Sequence, residues 1–229
     1  LSGGLDSAVA LAICQSEGYA AHALTIDYGQ RHHWEIEAAR RVAQAAGVKR
    51  HIVLNVDLTA WGGSALTQDL TVPTHRNADA MGQGIPITYV PGRNTIFLSL
   101  AMAWAETLET GHLFIGAHAL DYSGYPDCRP DYFHAYEQMA NLATKSGVEG
   151  NAGWQIHTPL IDMTKADIIR RGEALGVPFA LTVSCYQPRE DKLDFPPLAC
   201  GICDSCIIRR RAFDAAGVDD PIEYAIAPE

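Results

Sequence analysis

Apolar runs of strand length alternate with segments of helical period along most of the chain, and no other feature narrows the available folds as far. Residues 22–28 read as a strand; Trp34, Ala38, Val42 and Ala45 then recur at helical spacing until Gly47 supplies a stop, and residues 50–56 form the next strand. After a further apolar run at 87–90, the turn Pro91-Gly92-Arg93-Asn94 leads into a helix from Thr95 to about Thr110, closed by Gly111, and a strand over 112–117. Pro130 suits the first turn of another helix, and residues 154–157 read as a strand. Thr164 with Asp167 three residues on forms a capping-box arrangement for a helix that Gly176 and Pro178 end. Strands separated by helical crossovers pair in parallel, so the prediction is α/β with a doubly wound, mostly parallel sheet. Residues 58–83, with Gly62, Gly63 and Pro73, show neither period and are expected as an excursion or lid.

The chain's 229 residues, 48% of them apolar, suffice for one core that needs neither disulfides nor metal to hold its bulk together. The longest apolar run, residues 95–105, falls well short of the roughly 20 residues of a bilayer span, so no membrane segment is expected. With 17 Lys and Arg against 27 Asp and Glu, the net charge of -10 has the wrong sign for binding a nucleic-acid backbone, which favours a small substrate over tRNA or DNA. Arg209, Arg210 and Arg211 are the local exception, expected as a solvated face of a final helix.

The opening residues Leu1-Ser2-Gly3-Gly4-Leu5-Asp6-Ser7 make a turn that feeds an apolar helix. Two adjacent glycines let backbone amides approach an anion, and the Ser2 and Ser7 hydroxyls with the helix dipole can hold a phosphate. The lysine of a Walker loop is absent. Near the other end, Cys185, Cys200, Cys203 and Cys206 are spaced C-x14-C-x2-C-x2-C. Two tight spacings present three sulfurs to one tetrahedral ion and Cys185 supplies the fourth, which points to one structural zinc; an iron–sulfur cluster and two disulfides are the rival uses of four cysteines. Cys14 belongs to the first helix as packing, and Cys128 is expected to be structural.

Three polar loops fall where strands end: residues 27–32, 90–94 and 121–129. In a doubly wound sheet such loops converge on the ligand. Arg93 or Arg129 can pair with a carboxylate, Asp121 or Asp127 can accept from amino and ring N–H groups, and Tyr122 or Tyr125 can stack on a planar heterocycle.

The order serine, two glycines, a variable residue, aspartate and serine at residues 2–7 resembles the pyrophosphate loop of the N-type ATP pyrophosphatases. That resemblance implies cleavage of ATP between its α and β phosphates and transfer of AMP to a substrate oxygen. It makes Asp6 a candidate to hold Mg2+ or to organise the loop, and Lys165 a candidate to meet phosphate charge as it develops. With Tyr28-Gly29-Gln30-Arg31-His32, the turn at 90–94, residues 121–129, Ile156-His157-Thr158-Pro159-Leu160 and the final cysteine run, the whole chain is similar to the 7-cyano-7-deazaguanine synthase family of queuosine biosynthesis.

The resemblance implies an adenine nucleotide alpha hydrolase-like fold over residues 1–182 and a zinc-binding segment with a C-terminal helix over 183–229. It implies catalytic roles for Asp6, Ser7 and Lys165. ATP would be held by Leu1, Ser2, Gly3, Gly4, Leu5, Asp6, Ser7, Asp27, Gln30 and Lys165. The substrate, 7-carboxy-7-deazaguanine, would meet Arg31, His32, Arg93, Asn94, Asp121, Tyr122, Ser123, Gly124, Tyr125, Asp127 and Arg129. Adenylation, attack by ammonia and a second activation of the amide oxygen would leave the nitrile, with His32 or Asp127 assisting proton transfer. A cytoplasmic homodimer is expected, with no glutaminase domain of its own. The spacer at 186–199 is longer than the family leads one to expect. The rival readings are a pyrophosphate-loop ligase for a different acid and a nucleotide-binding module without turnover.

Overall fold

A computed structural model describes residues 1–76, 81, 84–119, 125–150, 153–189 and 195–225. Helix α1 (Leu5–Ser16) precedes β1 (His22–Asp27), α2 (Trp34–Ala45) and β2 (Arg50–Asn55). Helix α3 (Arg93–Thr107) leads to β3 (His112–Phe114), and α4 (Pro130–Ala143) and α5 (Lys145–Glu149) lead to β4 (Gln155–His157). Helices α6 (Lys165–Ala174) and α7 (Asp204–Ala216) close the order.

The pairing follows from the crossovers. β1 and β2 pair in parallel with His22 opposite Arg50, and β3 and β4 pair in parallel with His112 opposite Gln155. Each pair is a strand–helix–strand unit, as the alternation requires. Ahead of α1, Leu1 runs beside β1: its nitrogen donates to Leu24 O at 2.6 Å and its carbonyl accepts from Thr25 Oγ1 at 2.6 Å.

Two buried clusters carry most of the packing. Val9 and Ile13 of α1, Ile168 and Ile169 of α6 and Phe213 of α7 share one core with Leu160 and Phe179. Leu98 of α3, Leu113 of β3, Phe133 and Tyr136 of α4 and Trp154 share the other. Burial of such side chains supplies about 1.5–3 kcal/mol each. Trp154 shows how the polar atoms are accommodated, since its indole N–H donates to Thr144 Oγ1 at 2.6 Å. Among the described residues, no helix is long and apolar enough to cross a membrane.

Three expectations change. The apolar run at 87–90 is a turn, fastened by the Tyr89 N–H on Pro86 O at 2.9 Å. Helix α3 starts two residues early because the left-handed Gly92 caps it and Asp127 accepts the Asn94 N–H at 3.0 Å. Arg209 is not on a solvated face: it is 1% exposed. Its guanidinium pairs with both Asp220 oxygens at 2.9 Å, donates to Thr182 Oγ1 at 2.8 Å and reaches Phe179 O at 3.3 Å. A buried cation persists only when its donors are taken up in this way. Arg211 alone of the three is exposed.

The segment at 58–83 carries no helix or strand through residue 76 and is anchored by isolated contacts. Thr74 bridges Cys203, the His75 N–H donates to Ile202 O at 2.9 Å, and Arg76 pairs with Asp204 at the start of α7. Ala65 and Val72 pack against the four cysteines.

Candidate nucleotide and metal sites

The loop at residues 1–7 is gripped from two sides. Gly3 has φ +81°, and a Cβ there would lie 2.2 Å from Glu35 O and 2.7 Å from the Ala39 nitrogen on α2. Beyond the end of β3, a Cβ on Gly116 would lie 2.8 Å from the Asp6 carbonyl carbon and 2.9 Å from the Ser7 nitrogen. Glycine is required at Gly3 by conformation and space together. Gly3→Ala is expected to cost about 2–3 kcal/mol, read as a melting temperature lower by about 5–10 °C, and to abolish ATP binding by calorimetry.

Within the loop, Ser7 Oγ lies 3.0 Å from Ser2 Oγ, Gly4 N donates to Ser2 Oγ at 3.3 Å, and the Val183 N–H donates to Gly3 O at 3.0 Å. The hydroxyls thus stand around the first amides of α1, which have no acceptor inside the helix. Helix α6 brings the side chain of its first residue to the same place. Its cap is the expected one: the Asp167 N–H donates to Thr164 Oγ1 at 3.2 Å and the Thr164 hydroxyl donates to Asp167 Oδ2 at 2.6 Å.

That cap delivers Lys165 to Asp6, with Nζ 2.5 Å from each carboxylate oxygen. His118, just past β3, places Nδ1 3.8 Å from Asp6 Oδ2. Burial alone would raise the Asp6 carboxyl, but Lys165, His118 and Arg209 outweigh it and hold it below the usual carboxylate value. Asp6 is therefore an anion amid cations at the amino terminus of α1, a setting that suits a phosphate chain with a hard cation.

A cavity of about 510 Å3 opens from the loop. Its polar wall includes Gln30, Glu35, Arg93, Tyr125, Lys165 and Arg209. Gln30 Oε1 accepts from the Tyr28 N–H at 2.9 Å, and Asp27 Oδ1 accepts from the Gly29 N–H at 3.4 Å. The Arg93 guanidinium stands 5.9 Å over the Tyr28 ring. Tyr125 shares a hydrogen bond with Thr88 at 3.0 Å, its ring centroid 5.7 Å from that of Tyr89.

Other candidate residues turn toward the protein. Arg31 donates to Ala65 O at 3.2 Å and Leu70 O at 2.7 Å, bracing the 58–83 segment. The His32 Nε2–H donates to Cys185 O at 2.9 Å; burial lowers its imidazole below the ordinary value. Asn94 Nδ2 donates to Asp127 O at 2.9 Å and reaches Cys128 Sγ at 3.3 Å, so Asn94 and Asp127 knit α3 to the 126–128 turn. Burial, then the nearby Asp127 charge, pushes the Cys128 thiol up to about 11, as befits a packing residue. Arg129 edges a shallow hollow shared with Tyr89, Gly92 and Tyr132. Asp121, Tyr122, Ser123 and Gly124 lie outside the described residues.

His118, Glu35 and Arg209 were not singled out as site residues from the sequence. His118 had a signal, its place just past a strand's carboxyl end, where ligands collect in such sheets. Glu35 and Arg209 had none, because their surroundings come from distant segments.

The four cysteines converge. Their sulfurs lie within 4.8 Å of one another, all four residues are buried, and none is disulfide-bonded. Cys200 Sγ and Cys206 Sγ are 3.9 Å apart, close to the roughly 3.8 Å that ligation at about 2.3 Å around one tetrahedral ion requires. The Cys200 N–H donates to Cys185 Sγ at 3.2 Å and the Cys203 N–H to Cys200 Sγ at 3.4 Å, the outer bonds that steady thiolates. The set fits a metal ion.

A pyrophosphate loop opening the first helix of an α/β fold, with a four-cysteine knuckle folded beside it, defines a nucleotide-binding protein of the PP-loop class. The model of the family described as "Queuosine biosynthesis protein QueC" matches residues 1–217. The chain belongs to that family. It is 59% identical over 224 residues to "7-cyano-7-deazaguanine synthase" of Desulfatibacillum aliphaticivorans, covering 98% of this chain and 94% of the relative. It is 58% identical over 228 residues to the protein of the same name in Cupriavidus necator (99% and 96% covered). The identity is 56% over 225 residues for that of Methylococcus capsulatus (98% and 96%).

Proposed function

We propose that this chain is an ATP-dependent ligase that converts 7-carboxy-7-deazaguanine and ammonia into 7-cyano-7-deazaguanine. The observation that carries the reading is the Asp6–Lys165 pair set between the glycine loop and the amino terminus of α6. A carboxylate resists ammonia until its oxygen becomes a good leaving group, and AMP transfer supplies one.

The amides and hydroxyls of residues 1–7, with Gln30 and Asp27 at the next loop, hold the nucleotide. Asp6 would hold a Mg2+ that offsets the phosphate charge, and Lys165 would meet the oxygens that gain charge as pyrophosphate departs. Arg93 or Arg129 pairs with the substrate carboxylate, Tyr125 lies against its ring, and Asp121 accepts from its amino and ring N–H groups. Arg31, His32, Asn94 and Asp127 support that pocket from behind. Cys185, Cys200, Cys203 and Cys206 would hold zinc as a structural ion, and residues 183–229 form its segment on the 1–182 domain. The chain works in the cytoplasm as a homodimer on free ammonia.

Incubation of the purified protein with Mg-ATP, ammonium and the acid, followed by mass spectrometry, tests the reading. Nitrile, AMP and pyrophosphate are the expected products. AMP formed only with some other acid would reassign the substrate, and ATP bound without acid-dependent AMP would leave a binding module.

A further inference from the structure

Glu35 occupies the first turn of α2, and its carbonyl oxygen is the atom that presses on Gly3. Glu35 lines the same cavity as Gln30 and Arg93. Among the described residues, no hydrogen-bond donor holds its oxygens. The charged and titratable groups around it are Arg93 from α3, Tyr28 from the end of β1, Tyr125 and Tyr186 beyond Arg93, and Asp6, Lys165, His118 and Arg209 around the phosphate loop.

Neither group weighed for proton transfer lines the cavity, and Asp6, which does, is held by a cation. Asp6 pairs with Lys165, Asp127 accepts from Asn94, and His32 turns Nε2 to the Cys185 carbonyl while its Nδ1 is buried without a partner among the described residues. Yet the chemistry must dispose of protons. When ammonia's lone pair forms the C–N bond and the C–O bond to AMP breaks, one N–H proton has to leave. When the amide oxygen is adenylated and expelled as AMP, both remaining N–H protons go as the C≡N bond forms.

We propose that the Glu35 carboxylate is the base that takes these N–H protons, a catalytic role that rests on the reaction proposed above. Burial pushes this carboxyl up to about 7 against the opposing pull of Arg93. A base poised there accepts a proton at one step and yields it to solvent before the next.

Two half-reactions separate the proposal from its alternatives. Acid-dependent exchange of labelled pyrophosphate into ATP, run without ammonium, reports adenylation alone. In Glu35→Gln that exchange is expected to stay within about threefold of the parent, while amide and nitrile formation fall about 100-fold and the rise of rate through pH 7 disappears. Glu35→Asp should recover part of the lost nitrile.

The raised carboxyl also gives a fold readout. Between its unfolded value near 4.5 and about 7 the native state binds the extra proton, so ionising Glu35 weakens the fold as pH rises. Glu35→Gln should therefore gain in melting temperature at pH 8 relative to pH 5. The proposal is overturned if exchange and nitrile formation fall together, if nitrile formation persists at the parent rate, or, should the Gln variant not fold, if Glu35→Asp keeps the parent pH profile. A parent protein that makes no nitrile would sink the proposed reaction and this role with it.

Discussion

Cys203→Ser is expected to release the bound metal and to lower the melting temperature by about 10 °C or more, the first measured by elemental analysis and the second by calorimetry. The size follows from where Cys203 sits. It is fully buried, caps the amino end of α7, and forms the backbone bridge to Thr74. A metal held there would close a knuckle on which Ala65, Val72, Tyr186 and Tyr224 pack. Losing it frees the start of α7 and the 58–76 stretch at once, so limited proteolysis should cut there first. Treating the parent with a strong chelator should reproduce the same melting shift. Unchanged metal content and melting in the variant would refute the assignment.

Asp6→Asn is expected to lower turnover by about 1000-fold with the circular dichroism spectrum unchanged. Asparagine matches the carboxylate in size, so α1 keeps its packing, but its neutral amide oxygen holds a hard cation far more weakly and cannot balance the Lys165 charge. Lys165 is only 14% exposed, and in the variant its ammonium would face a neutral amide and the phosphates without its carboxylate partner. Steady-state release of pyrophosphate measures the loss. Near-parental rates would remove Asp6 from any role in handling the metal–phosphate complex.

Much of this was written in local sequence. The strands at 22–27 and 50–55 and the cap at Thr164 follow from periods and side-chain chemistry that act within a few residues. The cysteine spacing identified its own site, because a knuckle of C-x2-C-x2-C needs only one further ligand. What sequence reasoning missed depends on partners far along the chain. Arg209 lies in a run of three arginines and looks solvated until Asp220, Thr182 and Phe179 are brought around it. Arg31 sits in a polar strand-end loop and resembles a ligand residue, yet its partners are carbonyls more than 30 positions away. Glu35 looks like an ordinary acid in a helix's first turn, and it is burial, opposed by Arg93, that changes its behaviour.

The Arg209 cluster also couples two places that sequence holds far apart. Thr182 and Ser184, which receive its guanidinium, flank Val183, whose N–H is fixed to the Gly3 carbonyl. Nucleotide seated on the loop would consequently tighten the stretch around Asp220, and slack introduced at Asp220 would be felt as weaker nucleotide affinity, since coupling between two sites runs equally in both directions. The tail after α7 is in this sense a tuning peg for the phosphate grip.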